Sequence, residues 1–226
     1  MSVSDLSTSA QNYLKAVWGL SEWSTEPVTP TLIAERTGLK LSSASDAVRR
    51  LADQGLVSHA PYGSVELTEV GRAHALAMVR RHRLIESFLV SVLGYSWDQV
   101  HDEAENLEHA VSDFMVDRID AYLEFPSRDP HGDPIPAADG TVVIPEAQQL
   151  TGIGAGERVL VERISDADPA LLQFFEGHGI VVGAVLALEE GAPFSDAVDV
   201  RVTGAVAPVP LGRSATDALY VSLVSS

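Results

Sequence analysis

Thr31-Leu-Ile-Ala-Glu-Arg-Thr-Gly-Leu-Lys-Leu-Ser-Ser-Ala-Ser-Asp-Ala-Val-Arg-Arg-Leu51 is the stretch on which the reading of the N-terminal fold turns. It predicts two short helices, Thr31–Thr37 and Ser42–Gln54, separated by Gly38-Leu39-Lys40-Leu41. Leu32, Ile33 and Ala34 supply the packing face of the first helix, and Gly38 permits a tight turn. Val48 and Leu51 bury the second, which leaves Ser42, Ser43, Ser45, Asp46 and Arg49 facing outward. Small hydroxyl residues at a helix N-terminus can approach phosphates and base edges with help from backbone N–H groups. Lys40, Arg49 and Arg50 are the local cations, and Thr31 joins the same candidate DNA-contacting set. Gly55 then stops the helix, and Leu56–His59 and Ser64–Leu67 flank Ala60-Pro-Tyr-Gly63, a hairpin signal that puts Tyr62 at its tip. A two-helix corner alone is common in helical proteins. A hairpin directly after the second helix is the order that a winged helix needs.

Upstream, Leu14, Val17, Trp18 and Leu20 recur at helical spacing until Ser24, Pro27 and Pro30 interrupt them. Downstream, Thr68 begins a long helical run with Val70, Ala73, Ala77, Leu84, Phe88 and Leu89 as its expected apolar face. Ser96 and Gln99 have capping-box spacing and predict a helix from Trp97. Ser112 or Asp113 can cap another, carrying Phe114, Ile119 and Leu123. Five prolines at 126, 130, 134, 136 and 145, with Gly132 and Gly140, forbid a continuous helix and predict a linker or extended segment. Beyond it, Arg158–Ile164, Ala184–Leu188, Ala197–Val202 and Leu219–Val224 read as strands, with one helix near Pro169–Glu176. Such a pattern suggests a small, partly open β-barrel.

The chain has 226 residues, room for one large domain or several small ones, and 46% are apolar, enough for a core. It has no cysteine, which excludes disulfide scaffolds, thiolate metal sites and cysteine nucleophiles and fits a reducing compartment. No apolar run approaches the ~20 residues of a membrane span, and the N-terminus lacks the look of a secretory signal. A cytoplasmic location without membrane contact is therefore expected. Net charge is −17, yet residues 1–95 carry nine Lys/Arg against nine Asp/Glu, so the whole excess lies in residues 96–226. A neutral first part joined to an acidic remainder suggests two jobs, with the acidic part expected to point away from phosphates.

The second chemical signal spans His82 to His109. Arg80-Arg-His-Arg-Leu-Ile-Glu86 sets His82 and Glu86 on one helical face. Val100-His-Asp-Glu-Ala-Glu-Asn-Leu-Glu-His109 sets His101, Glu105, Glu108 and His109 on neighbouring faces. So many carboxylates on one helix repel by about 0.2–0.5 kcal/mol per i,i+4 pair, a cost that a bound dication turns into attraction. Imidazole and carboxylate donors without thiolate suit Mn²⁺, Fe²⁺, Co²⁺ or Zn²⁺. His59, His74, His131 and His178 have no partner spacing and read as ordinary surface or core residues.

Together with Asp129-Pro-His-Gly-Asp-Pro-Ile-Pro136, these ordered motifs resemble the diphtheria toxin repressor family of metal-activated bacterial repressors over essentially the whole chain. The resemblance implies an α+β chain. Residues 1–74 would form a winged helix-turn-helix domain, 75–125 a helical metal-binding and dimerisation domain, 126–150 a proline-rich linker and 151–226 an SH3-like β-barrel. It also implies a homodimer on a palindromic operator, and contact between the SH3-like domain and the metal domain. Carried over by position, the ancillary site falls on His82, Glu86 and His101, and the activating site on Asn12, Glu105, Glu108 and His109. Iron-responsive members have Cys at the position of Glu105 and Met at that of Asn12, whereas manganese-responsive members use carboxylates. Glu105 therefore points to a manganese transport regulator. Asn12 stands where that branch usually has Asp, and Lys15 where its two-domain members have Glu. Asp166 lies near the region from which the iron branch adds third-domain ligands.

The expected function is thus a Mn²⁺-activated dimeric repressor of metal-uptake genes. An Fe²⁺ sensor is the rival within the family, and Co²⁺ or Zn²⁺ could substitute in vitro. A metallohydrolase on the His/Glu cluster is the rival from another class, but no His-Glu-x-x-His helix or general base supports it. A repressor sensing an organic ligand is the third.

Overall fold

The structure is a computed structural model and describes residues 3–59, 64–192 and 194–224. Its described chain orders α1 (Thr8–Glu22), α2 (Pro30–Thr37), α3 (Leu41–Asp53), β1 (Val57–His59), β2 (Val65–Leu67), α4 (Glu69–Leu93), α5 (Val100–Leu107) and α6 (Asp113–Tyr122). Then follow β3 (Gln148–Gln149), β4 (Arg158–Ile164), α7 (Pro169–Gly177), β5 (Val185–Glu189), β6 (Val198–Val202), β7 (Val209–Leu211), α8 (Arg213–Ala218) and β8 (Leu219–Leu223). No helix among the described residues is long and apolar enough to cross a membrane.

The chain divides into two compact units. The first holds Met1–Ile85, Glu105–Tyr122 and Ile135–Val142. Local signals set its elements: the Ser7 hydroxyl accepts the Ala10 N–H at the start of α1, and Thr29 caps α2 with Pro30 in the first turn. Gly38 ends α2 in the left-handed region at φ 66°, which a residue with a Cβ disfavours. Ala44, Ala47, Val48 and Leu51 bury one face of α3 against Leu14, Val17, Trp18 and Ile33. β1 and β2 pair antiparallel, Val57 opposite Leu67, as the hairpin signal predicts; the expected tip, with Tyr62, lies outside the described residues. A Cβ on Gly71 would sit 1.7 Å from the Leu56 carbonyl oxygen, so only glycine lets α4 start this close to β1.

The second unit holds Glu86–Ala104, Leu123–Pro134 and Val143–Ser226. Its six-stranded sheet runs β3-β8-β4-β5-β6-β7 with antiparallel neighbours. Val159 and Val161 point into the core, but the next buried position on β4 is Ile164, because a bulge between Val161 and Arg163 shifts the alternation. Leu186, Leu188, Val200, Leu219, Val221 and α7's Phe175 complete this core.

Four local expectations are corrected. The helix expected at Trp97 begins at Val100, since Gln99 N–H closes a turn on the Ser96 carbonyl and Trp97 is drawn into the sheet core. Val70 and Ala73 are exposed; α4 instead buries Ala75, Leu76, Met78 and Val79, and every residue from Arg81 to Glu86. Phe114 is 76% exposed on α6, while Ile119 is buried as expected. Residues 126–147 lack helix, as the prolines dictate, yet 131–136 are buried around an Asp129 turn.

Candidate metal centres and nucleic-acid interface

In the first unit, α1 presents Gln11 and Lys15 to the end of α5 and the turn after it. α5 stops at Leu107, so Glu108 and His109 lie in the following turn, where Arg81 fixes the backbone by donating to the Glu108 carbonyl (3.1 Å) and pairing with Asp113. Glu108 is fully buried. Its Oε2 meets His82 Nδ1 at 2.6 Å, its Oε1 lies 3.5 Å from His109 Nε2, and Lys15 Nζ donates to both oxygens (2.6 and 2.8 Å). Lys15 also donates to Glu105 Oε1 at 2.6 Å. Burial pushes the Glu108 carboxyl up, but the His82 hydrogen bond and charge and the Lys15 ammonium outweigh it and leave it below the usual glutamate range. Donor atoms of His82, Glu105 and Glu108 lie within 4.8 Å of one another.

Two observations test whether this pocket fits a metal. Asn12, three residues before Lys15 on α1, buries its Oδ1 with no hydrogen-bond partner among the described residues, a costly state for an amide oxygen that a cation would relieve. Gln11, which no sequence spacing singles out, sets the His109 tautomer. Its Nε2 donates to the Val3 and Leu6 carbonyls (2.9 and 3.0 Å), so its Oε1 must accept from His109 Nδ1–H at 2.7 Å. His109 Nε2 is thereby turned to the Glu108 side, and in the neutral ring it is the nitrogen a metal would take.

The second unit gathers another cluster. His101 Nδ1 lies 3.3 Å from Glu86 Oε1 and 3.2 Å from Asp166 Oδ2. Asp166 and then Glu86 hold this imidazole in its charged form against the cost of burial, pushing its pKa up to about 10. His131, expected to be an ordinary residue, is buried, and its Nδ1 is 4.0 Å from Glu86 Oε2. Its Nε2–H donates to the Trp97 carbonyl (2.8 Å) and its ring stacks on Trp97, while Nδ1 is buried with no hydrogen-bond partner among the described residues. Glu86, His131 and Asp166 offer donors within 4.8 Å of one another. His131 stands 45 positions after Glu86, so no helical spacing could link them; its only sequence signal is its place inside the Asp129–Pro136 motif. His82 stands one helical turn before Glu86 on α4, as the spacing predicts, and is buried with its Nδ1 on Glu108.

Thr31, Lys40, Ser42, Ser43, Ser45, Asp46, Arg49 and Arg50 are all exposed. Lys40 occupies the N-cap of α3 without a side-chain cap bond, so the first N–H groups of a 13-residue helix stay available to an anion. Arg49 is tied to Asp46 at 2.6 Å.

Three family models match in order: the iron dependent repressor N-terminal DNA binding domain over residues 5–65, the iron dependent repressor metal binding and dimerisation domain over 68–137, and the FeoA domain over 148–223. The iron-dependent repressor IdeR of Mycobacterium leprae is 33% identical over 202 residues, covering 83% of this chain and 86% of that protein. The diphtheria toxin repressor of Corynebacterium diphtheriae is 39% identical over 137 residues, 60% of this chain and 59% of that one. A solved structure described as a manganese-dependent transcriptional repressor in complex with manganese is 51% identical with a TM-score of 0.90, covering 95% of this chain and all of that one.

Proposed function

The chain belongs to the diphtheria toxin repressor family of metal-dependent, DNA-binding transcriptional repressors, and from that premise we propose that it is a Mn²⁺-activated dimer repressing metal-uptake genes from a palindromic operator. It is a repressor and not an enzyme. The observation that carries the choice of metal is the donor set: amide and carboxylate oxygens with imidazole, and no sulfur. Harder oxygen donors favour Mn²⁺ over metals that seek thiolates. The likeness to a repressor described in complex with manganese supports the same choice.

We assign Asn12, Glu105, Glu108 and His109 as the activating ligands, with Gln11 as the residue that orients His109. Glu86, His101, His131 and Asp166 form the second proposed set, which brings the SH3-like domain to the metal region through Asp166. His82 acts through its bond to Glu108. Asn12, Glu105, Glu108 and His109 would hold a divalent ion, which would supply two positive charges there. Asn12 would then tie the N-terminal helix to the turn that follows α5. Leu14, Val17 and Trp18 of that helix pack in the core of the winged domain, so its position is passed to α3. The metal must bind the DNA-competent arrangement more tightly than the other, since equal affinity shifts nothing. Thr31, Lys40, Ser42, Ser43, Ser45, Asp46, Arg49, Arg50 and the hairpin residue Tyr62 form the proposed DNA face. The division into residues 1–74, 75–125, 126–150 and 151–226, and a cytoplasmic location, belong to the same reading.

The test is DNA binding, under anaerobic conditions, to a site selected from random duplexes by the Mn²⁺-loaded protein. Wild type and Glu108→Ala are compared across Mn²⁺ and Fe²⁺ series. Wild type should bind at lower Mn²⁺ than Fe²⁺, and the variant should need at least tenfold more Mn²⁺. Tighter activation by Fe²⁺ reverses the choice of metal, and metal-independent binding ends the proposal.

A further inference from the structure

Lys15 makes its three polar contacts with the very oxygens assigned above to a metal. Its Nζ donates to Glu105 Oε1 at 2.6 Å and to Glu108 Oε1 and Oε2 at 2.6 and 2.8 Å. An ammonium has three donors and no acceptor, and three carboxylate oxygens surround this one. His82 already holds Glu108 Oε2 at 2.6 Å, so both oxygens of Glu108 are engaged. An ion that coordinates Glu108 must take an oxygen that Lys15 holds. The ammonium and a dication on the same carboxylate repel each other, and the full burial of Glu108 weakens the screening between them. The Lys15 side chain keeps 16% of its surface exposed and sits on a flexible four-carbon stem, so it can swing out to solvent. Asn12 and Lys15 are three residues apart on α1, hence on one face. One helix therefore carries both a ligand for the ion and a rival to it.

We propose that Lys15 is a tethered competitor of the activating metal, a built-in cation that must leave the Glu105–Glu108 pair before an ion can bind, and so sets the metal concentration at which the repressor responds. The inference rests on the assignment of Glu105 and Glu108 as ligands. It makes Lys15 a determinant of the response threshold rather than a ligand. It also gives α1 two ways of staying docked on the 105–108 segment, by Lys15 without metal and by Asn12 through the metal.

The experiment is Mn²⁺ affinity of the full-length protein, read by competition with a fluorescent chelator, for wild type, Lys15→Met, Lys15→Gln, Lys15→Arg and Glu108→Gln. Melting temperatures without metal are recorded alongside. Lys15→Met, which keeps the stem and removes the charge, should bind Mn²⁺ at least tenfold more tightly than wild type and melt lower without metal, because two carboxylates lose their counter-ion. Lys15→Gln should move affinity in the same direction and decides the matter if the Met variant does not fold. Lys15→Arg, always charged and able to grip a carboxylate with two donors, should bind no more tightly than wild type. Mn²⁺ binding that Glu108→Gln abolishes while Lys15→Met and Lys15→Gln bind no more tightly than wild type overturns the competitor role alone. No binding by wild type, or full binding by Glu108→Gln, overturns the ligand assignment and the competitor role with it.

Discussion

Glu162, on β4, fastens the turn that carries a proposed metal ligand. Its Oε2 accepts from Arg128 and its Oε1 from Ser222, both at 2.6 Å, and Arg128 also donates to the Glu162 carbonyl. Next to it, Arg163 Nε donates to Asp133 (2.7 Å) and Ile164 N–H to the His131 carbonyl (2.9 Å). Residues 128–133 are thus stitched to one strand, and a Cβ on Gly132 would lie 2.2 Å from the Glu162 carbonyl oxygen. Burial pushes the Glu162 carboxyl up, but the Ser222 and Arg128 contacts outweigh it and hold it below the ordinary glutamate value. A carboxylate with a depressed folded pKa stabilises fully above its unfolded value near 4.5 and stops doing so as pH falls through the folded value. Glu162→Gln should therefore cost about 1–3 kcal/mol near neutral pH, with the melting-temperature gap to wild type closing as pH drops below 4.5. A gap that persists unchanged at pH 3 would show the loss to be packing and not charge.

At the scale of elements, α3 carries an internal conflict that bears on DNA. Its outward face offers Ser42, Ser43, Ser45, Arg49 and Arg50, but Asp46 stands among them and occupies Arg49 at 2.6 Å. Phosphate is an anion, so the Asp46 carboxylate repels it and withholds a cation at once. Asp46→Asn should tighten binding to any duplex several-fold and steepen the dependence of log affinity on log salt by about one phosphate's worth. Filter binding or anisotropy at two salt concentrations reads both effects. Weaker binding restricted to the selected site would instead make Asp46 a base-reading acceptor, as a carboxylate is for cytosine N4.

At the scale of the molecule, the family's dimerisation domain matches residues 68–137, and α6 within it leaves Phe114 76%, Met115 49% and Tyr122 66% exposed. Large apolar groups exposed together on one helix mark an interaction surface, and the matched dimerisation domain points to a second copy of the chain as its partner. Phe114→Glu should give a monomer by sedimentation at micromolar concentration and lose operator affinity, while Mn²⁺ binding per chain stays close to wild type. A dimer that survives this change puts the interface elsewhere.

Local features could be read from the residues alone. Ser7 and Thr29 caps with Pro30 dictated where α1 and α2 begin, and Gly38 and Gly55 where α2 and α3 end, because caps and turns are decided within four residues. The residue types from His82 to His109, free of cysteine, limited the chemistry to nitrogen and oxygen donors. What spacing could not reach is which donors meet. Ser96 and Gln99 gave a sound capping signal, yet the helix begins at Val100 because Trp97 is taken by the sheet core. His131 had no partner at helical spacing, and the fold sets it 4.0 Å from Glu86. Lys15 lies 93 positions from Glu108 and reaches it with a 2.6 Å bond. Helical periodicity encodes neighbours one turn away, whereas contact across such distances exists only once the helices have packed.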